Sequence, residues 1–135
     1  MSTLAADWWR HAVVYQVYPR SFADSDGDGM GDIPGLISRL DYLAELGVDA
    51  IWISPFYTSP LNDGGYDVAD YRSIDERLGT LADVDTLIEQ AHARSIRILM
   101  DIVPNHTSSE HRWFQELLAS PPGSPAWDRY MVREG

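Results

Sequence analysis

The sequence has no cysteine, which removes disulfides, thiolate metal sites and cysteine nucleophiles and suits a reducing compartment. It is also short of positive charge, with ten basic residues against 21 acidic ones and a net charge of −11. A field of that sign repels phosphate backbones, so the sequence argues against a nucleic-acid partner and in favour of bound cations. No run approaches the roughly eighteen apolar residues of a membrane span. The N-terminus has no basic segment ahead of an apolar one, so the expectation is a soluble, cytoplasmic chain without membrane contact. Neither Gly-x-Ser-x-Gly nor a phosphate-binding loop occurs, and the Gly-x-Gly-x-Gly at 27–31 is followed by acid rather than lysine. What the chain does have is 44% hydrophobic and 11% aromatic residues in 135. That is enough for a packed core, so the acidity is not that of a disordered tail.

Hydrophobic patterning predicts three buried strands. Residues 13–18 (Val-Val-Tyr-Gln-Val-Tyr) and 50–54 (Ala-Ile-Trp-Ile-Ser) are apolar runs stopped by Pro19 and Pro55, and 98–103 is a third. Between the first two, Leu36, Leu40, Leu43 and Leu46 recur at helical spacing after Pro34 and before Gly47, which predicts one amphipathic helix. Val84, Leu87, Ile88 and Ala91 mark a second, and a last helix is expected over about 109–119 ahead of the Pro/Gly/Ser break at 120–125. The stretch 55–82 is too long for an ordinary connection and too aromatic for disorder, so it reads as a functional loop. Strand, helix, strand, helix, strand implies parallel βαβ units with right-handed crossovers. Three such strands cannot close a barrel, which takes about 250 residues. The chain therefore reads as a small open sheet or as part of a longer barrel.

Three segments carry chemistry. In Asp24-Ser-Asp26-Gly-Asp28-Gly29-Met30-Gly31-Asp32, carboxylates alternate and are followed by a glycine and a backbone carbonyl. This is the spacing that wraps oxygen ligands around Ca²⁺ in an EF-hand loop, and the all-oxygen set favours Ca²⁺ over transition metals. The bidentate Glu such a loop needs at its twelfth position is absent, because Gly35 stands there; an acidic turn in water is the plain alternative. In Leu61-Asn62-Asp63-Gly64-Gly65-Tyr66-Asp67, a carboxylate and an aromatic ring flank two glycines, a combination that can bond a hydroxyl while a ring covers a sugar face, or that makes an ordinary turn. At the end of the third strand, polar residues emerge in Asp101-Ile-Val-Pro-Asn-His106, where parallel α/β folds place their ligand crevice. A carboxylate inside a buried strand needs a partner, so an arginine or similar donor is expected against Asp101. His11, His92 and His111 give no two-histidine metal spacing, and Trp8, Trp9, Trp52 and Trp113 read as core or interface packing.

Taken together with Tyr15-Gln-Val-Tyr-Pro-Arg-Ser-Phe22, these segments resemble the α-amylase superfamily, glycoside hydrolase family 13, and within it the α-glucosidase and oligo-1,6-glucosidase group. The likeness runs from Trp8 to about Tyr130. It implies an α/β fold forming the N-terminal part of a (β/α)8 barrel over 1–103, with the start of the inserted domain that follows strand three over 104–135. It also implies a retaining enzyme acting on α-glucosidic bonds of oligosaccharides, whose nucleophile, acid/base and third carboxylate follow later strands, so that this chain holds no catalytic residue. Asp63 then matches the aspartate holding the terminal glucose, Tyr66 the tyrosine stacked on it and His106 the histidine donating to its primary hydroxyl. Asp101 matches a buried aspartate that buttresses an arginine. The implied Ca²⁺ ligands are Asp24, Asp26, Asp28, the carbonyl of Met30 and Asp32, with Asp26 replacing the usual Asn. Ser95 stands where many relatives have Gly, at a position where a left-handed conformation would carry a cost. A trehalose synthase or other α-glucosyl transferase, and a non-catalytic calcium- or sugar-binding module, are the competing expectations.

Overall fold

The computed structural model describes residues 7–133; the two ends of the expected domain division, 1–6 and 134–135, lie outside them. Strands β1 (Val14–Val17), β2 (Ala50–Ile53) and β5 (Arg97–Met100) form one parallel sheet with β2 in the middle, Val17 level with Ile53 and Ile53 level with Met100. Helices α1 (Ile33–Ser38), α2 (Leu40–Leu46) and α3 (Leu81–Ala93) complete the two expected βαβ units. The core joins Val17, Ile51 and Ile53 of the sheet to Ile33, Leu36, Leu40, Leu43 and Leu87 of the helices, all with no exposed surface. This α/β arrangement is the one expected of the N-terminal part of a barrel, and Val14, Trp52, Leu99 and Met100 on the sheet stay 36% exposed or more. Trp9 and Trp113 are exposed as well, so neither is a core residue. No helix among the described residues is long and apolar enough to cross a membrane.

The single helix expected after Pro34 is two. Ser38 Oγ donates to the carbonyl of Gly35 at 2.6 Å, so the Arg39 N–H turns to Leu36 instead, and the backbone at Arg39 (φ −106°, ψ 5°) leaves the helix before α2 begins. Leu46, placed on the apolar stripe by its spacing, is exposed. Gly47 caps α2 in the left-handed region at φ +84°. Helix α3 opens on a capping box that the apolar spacing alone did not reveal: Thr80 Oγ1 accepts from Asp83 N at 3.2 Å and Asp83 Oδ2 from Thr80 N at 2.8 Å. Ser95, just past its end, has φ +62°, the left-handed conformation that costs a non-glycine residue about 1 kcal/mol.

The stretch 55–82 is not a structureless loop. It holds an antiparallel pair, β3 (Tyr57–Thr58) and β4 (Asp70–Ile74), fastened at its base by Asp75. That carboxylate is 3% exposed and accepts from Arg77 Nε and Nη2, both at 2.7 Å, and from Ser59 N at 3.2 Å. Burial works against its charge, but the Arg77 guanidinium and the Ser59 and Arg77 N–H groups hold it below the ordinary carboxylate value. The buried aspartate with an arginine partner is thus Asp75. Helix α4 (Arg112–Ala119) starts three residues later than expected, because the buried His111 is its N-cap, accepting from Trp113 N on Nδ1 at 3.1 Å. Burial, with Arg112 beside it, pushes this imidazole below the ordinary histidine value, which keeps the cap neutral and able to accept.

Candidate functional site

The carboxyl ends of β2 and β5 open on one side of the sheet, and the loop that carries Asp63 and Tyr66 folds back over them. Strand β5 ends at Met100, earlier than the sequence implied, so Asp101 stands just beyond it and is only half-buried. No arginine faces it among the described residues. Its Oδ2 accepts from the Tyr66 hydroxyl at 2.9 Å and its carbonyl from the Tyr57 hydroxyl at 2.7 Å. Burial, and then the Asp101 charge, hold the Tyr66 phenol above its ordinary value, as they do that of Tyr57.

His106 closes this group. Its Nε2 lies 3.1 Å from the carbonyl of Tyr66 and its Nδ1 2.9 Å from Asn105 Nδ2. A carbonyl only accepts, so the proton sits on Nε2 and Nδ1 accepts from the amide. The segment bearing both Asp101 and His106 is pinned from β4, where the Tyr71 hydroxyl faces the carbonyls of Val103 at 2.7 Å and His106 at 2.8 Å. In the sequence Tyr57 and Tyr71 count only among the aromatics that argue against disorder in 55–82, with no role in the site. The signal that finds Tyr71 is the strand-like run Asp-Tyr-Arg-Ser-Ile at 70–74, masked by its three polar residues.

The two aspartates of the glycine loop divide the work. Asp67 organises it: Oδ1 accepts from Ser59 Oγ at 2.9 Å and Asp63 N at 3.1 Å, and Oδ2 from Asn62 N at 2.8 Å. Burial alone would raise its pKa, but these donors outweigh it and hold the carboxyl below its ordinary value. The Asp63 carboxylate is exposed and has no hydrogen bond among the described residues. Of the two glycines, Gly65 serves packing. At Gly65 (φ +102°) a Cβ would stand 2.6 Å from the Pro55 carbonyl, so the close approach this residue permits is to backbone.

The acidic loop brings together three of its four carboxylates. One oxygen each from Asp24, Asp26 and Asp28 lies within 4.8 Å of the others, on exposed residues. Asp24 accepts from Gly27 N at 2.7 Å and Gly29 N at 2.8 Å, which hold its pKa below the ordinary value. Hard oxygen donors at this spacing fit Ca²⁺. Asp32 stands outside the group, buried, as the N-cap of α1: Oδ1 accepts from Gly35 N at 2.6 Å, and Oδ2 from Ser25 N at 3.1 Å and Ser25 Oγ at 2.8 Å. The Met30 side chain packs on the core.

A family model described as "Alpha amylase, catalytic domain" matches residues 16–135. Glucan 1,6-alpha-glucosidase of Streptococcus pneumoniae is 58% identical over 127 residues, covering 94% of this chain and 24% of that protein. Oligo-1,6-glucosidase of Parageobacillus thermoglucosidasius is 56% identical over 128 residues, covering 95% of this chain and 23% of that protein. The solved structure of a MutB mutant with the substrate sucrose superposes with a TM-score of 0.92 at 49% identity, over 98% of this chain and 24% of that one. The chain thus spans about a quarter of the length of the proteins it matches.

Proposed function

The chain belongs to the family of the alpha-amylase catalytic domain, and from that premise we propose that it is the N-terminal portion of a retaining α-glucosidase that removes glucose from the ends of oligosaccharides. The observation that carries this reading is the contact chain Tyr66, Asp101, His106 at the strand ends, with the unpartnered Asp63 carboxylate three residues from Tyr66. In this reading Asp63 accepts from hydroxyls of the terminal sugar, Tyr66 covers its apolar face with its hydroxyl anchored on Asp101, and His106 gives its Nε2–H to the primary hydroxyl in place of the Tyr66 carbonyl. Asp101 Oδ1 is without a hydrogen-bond partner among the described residues, which leaves it open to an arginine from later in the barrel. The two carboxylates of a retaining mechanism, about 5 Å apart, belong to later strands. Residues up to 103 form barrel and 104–135 begin an inserted domain. The lack of cysteine fits a cytoplasmic enzyme.

The test is turnover by the full-length protein. Isomaltose and p-nitrophenyl α-glucoside are expected to release glucose as the α-anomer first, seen by proton NMR during the reaction. Release of β-glucose first, or no turnover of any α-glucoside, would overturn the proposal, and disaccharide products in place of glucose would assign an α-glucosyl transferase.

We also read the acidic loop as a Ca²⁺ site. Asp24, Asp26 and Asp28 would hold the ion, the Met30 carbonyl and Asp32, here engaged as the α1 N-cap, being the remaining ligands the family resemblance implies, and its two positive charges would offset most of the repulsion among the three carboxylates. A ligand present at about a hundredfold its dissociation constant stabilises by about 2.7 kcal/mol, so the melting midpoint is expected to rise on the order of 5–10 °C with Ca²⁺. Asp26→Ala should abolish the rise. A midpoint indifferent to Ca²⁺ and chelator argues against the site.

A further inference from the structure

The sequence contains three Asp-Gly pairs, at 26–27, 28–29 and 63–64, and the fold treats them differently. In an Asp-Gly pair the glycine nitrogen, with no side chain nearby to obstruct it, can attack the aspartate Cγ. That requires a nitrogen and a carboxyl both free to meet. Within the acidic loop neither is free. The Gly27 N–H donates to Asp24 Oδ1 at 2.7 Å and the Gly29 N–H to Asp24 Oδ2 at 2.8 Å. Asp26 Oδ1 accepts from Asp28 N at 3.1 Å and Asp28 Oδ1 from Met30 N at 2.7 Å. At 63–64 both are free among the described residues: the Gly64 N–H has no acceptor, the exposed Asp63 carboxylate has no donor, and a Cβ on Gly64 would meet only the Tyr18 hydroxyl, at 3.4 Å.

We infer that Asp63 is a site of spontaneous isoaspartate formation, selective over Asp26 and Asp28. The Gly64 nitrogen forms a bond to Asp63 Cγ, and the carboxyl hydroxyl leaves with the amide hydrogen as one water, closing a succinimide. Water then adds at the Asp63 backbone carbonyl carbon and breaks its bond to the Gly64 nitrogen. The chain now runs through the side-chain carbon, longer by one methylene, and the freed α-carboxylate stands where the peptide carbonyl stood. No oxidant or cofactor enters and the product has the mass of the starting protein. The functional consequence rests on the sugar-binding reading of Asp63: the displaced carboxylate no longer meets the terminal glucose, so activity decays as the isomer accumulates.

The experiment incubates the protein below its melting temperature at mildly acidic pH in chelator, alongside a sample in denaturant. Isoaspartate at each pair is counted by protein isoaspartate methyltransferase labelling and by electron-transfer fragmentation of the peptides. In denaturant the three pairs should react alike. In the native protein Asp26 and Asp28 should slow roughly fivefold or more, the protection a net hydrogen bond confers, while Asp63 keeps nearly its denatured rate. Asp24→Ala, which frees the Gly27 and Gly29 N–H groups but leaves Asp26 Oδ1 on Asp28 N and Asp28 Oδ1 on Met30 N, should raise the rates at Asp26 and Asp28 part of the way to that at Asp63. Native protection of Asp63 equal to that of the other two, or unchanged protection in Asp24→Ala, overturns the inference. If isoaspartate gathers at Asp63 while glucosidase activity holds, the modification site stands and the sugar role of Asp63 falls.

Discussion

Gly35→Ala is expected to lower the stability of the fold by about 3 kcal/mol or more, against the direction helix propensity gives. Gly35 lies inside α1, where alanine is favoured over glycine by about 1 kcal/mol. Geometry reverses the sign. A Cβ at this position would stand 2.0 Å from the carbonyl oxygen of Ala23 and 2.6 Å from its carbon, both backbone atoms with no rotamer to escape into. The Ala23 carbonyl accepts from Asp32 N at 2.9 Å, and Asp32 Oδ1 accepts from Gly35 N at 2.6 Å. Moving α1 away from Ala23 therefore breaks its own N-cap, a loss of about 1 kcal/mol, together with a buried backbone bond. The same contact explains why the calcium-like loop cannot carry the twelfth-position Glu of an EF-hand. Gly47→Ala is the control: nothing lies within 4 Å of a Cβ there and only the left-handed backbone opposes it, so its cost should stay near 1 kcal/mol. Thermal melting compares the two, with the midpoint of Gly35→Ala expected on the order of 10 °C lower than wild type. A Gly35→Ala protein as stable as wild type would show that the Ala23 segment yields freely.

The elements most legible in the sequence are those whose signal is a period. The three strands and α3 follow from apolar runs and 3.6-residue spacing, and the left-handed Gly47 from its place just past a helix; Ser95 is marked only by the glycine that the family resemblance puts at its position. The break at Arg39 was not legible, because it depends on which carbonyl the Ser38 hydroxyl reaches, and a rotamer leaves no pattern. Strand β4 was hidden by its polar residues. Asp32 was legible and passed over: an aspartate directly before a helix with proline in its first turn is an N-cap signature, but the alternation of carboxylates drew it into the metal loop. The partner of Asp101 could not be read at all. Placing a tyrosine hydroxyl from 35 positions away on it requires the path of the whole glycine loop.

Asp63→Asn in the full-length enzyme is expected to lose roughly 10²-fold or more in kcat/KM, the equivalent of one or two charge-assisted hydrogen bonds to sugar hydroxyls, with stability unchanged within about 0.5 kcal/mol. The expectation separates two carboxylates four residues apart. The Asp63 carboxylate holds nothing in the fold among the described residues, so the amide isostere removes only the charge offered to the ligand. Asp67 holds three donors of its own loop. An amide nitrogen in Asp67→Asn would face one of them donor to donor, so this variant should lose about 1–3 kcal/mol of stability and bind sugar poorly only as a result of a loosened loop. The Asp67 carboxyl is held below its ordinary value in the folded state, so its contribution is present above the ordinary carboxylate range and is lost as pH falls through the depressed value. Acid unfolding should therefore be less steep in Asp67→Asn. Urea titrations between neutral and acid pH, paired with isomaltose kinetics, read both. An Asp63→Asn enzyme within a few fold of wild type in kcat/KM would remove Asp63 from the sugar site, and an Asp67→Asn protein of wild-type stability would remove Asp67 from the frame that presents it.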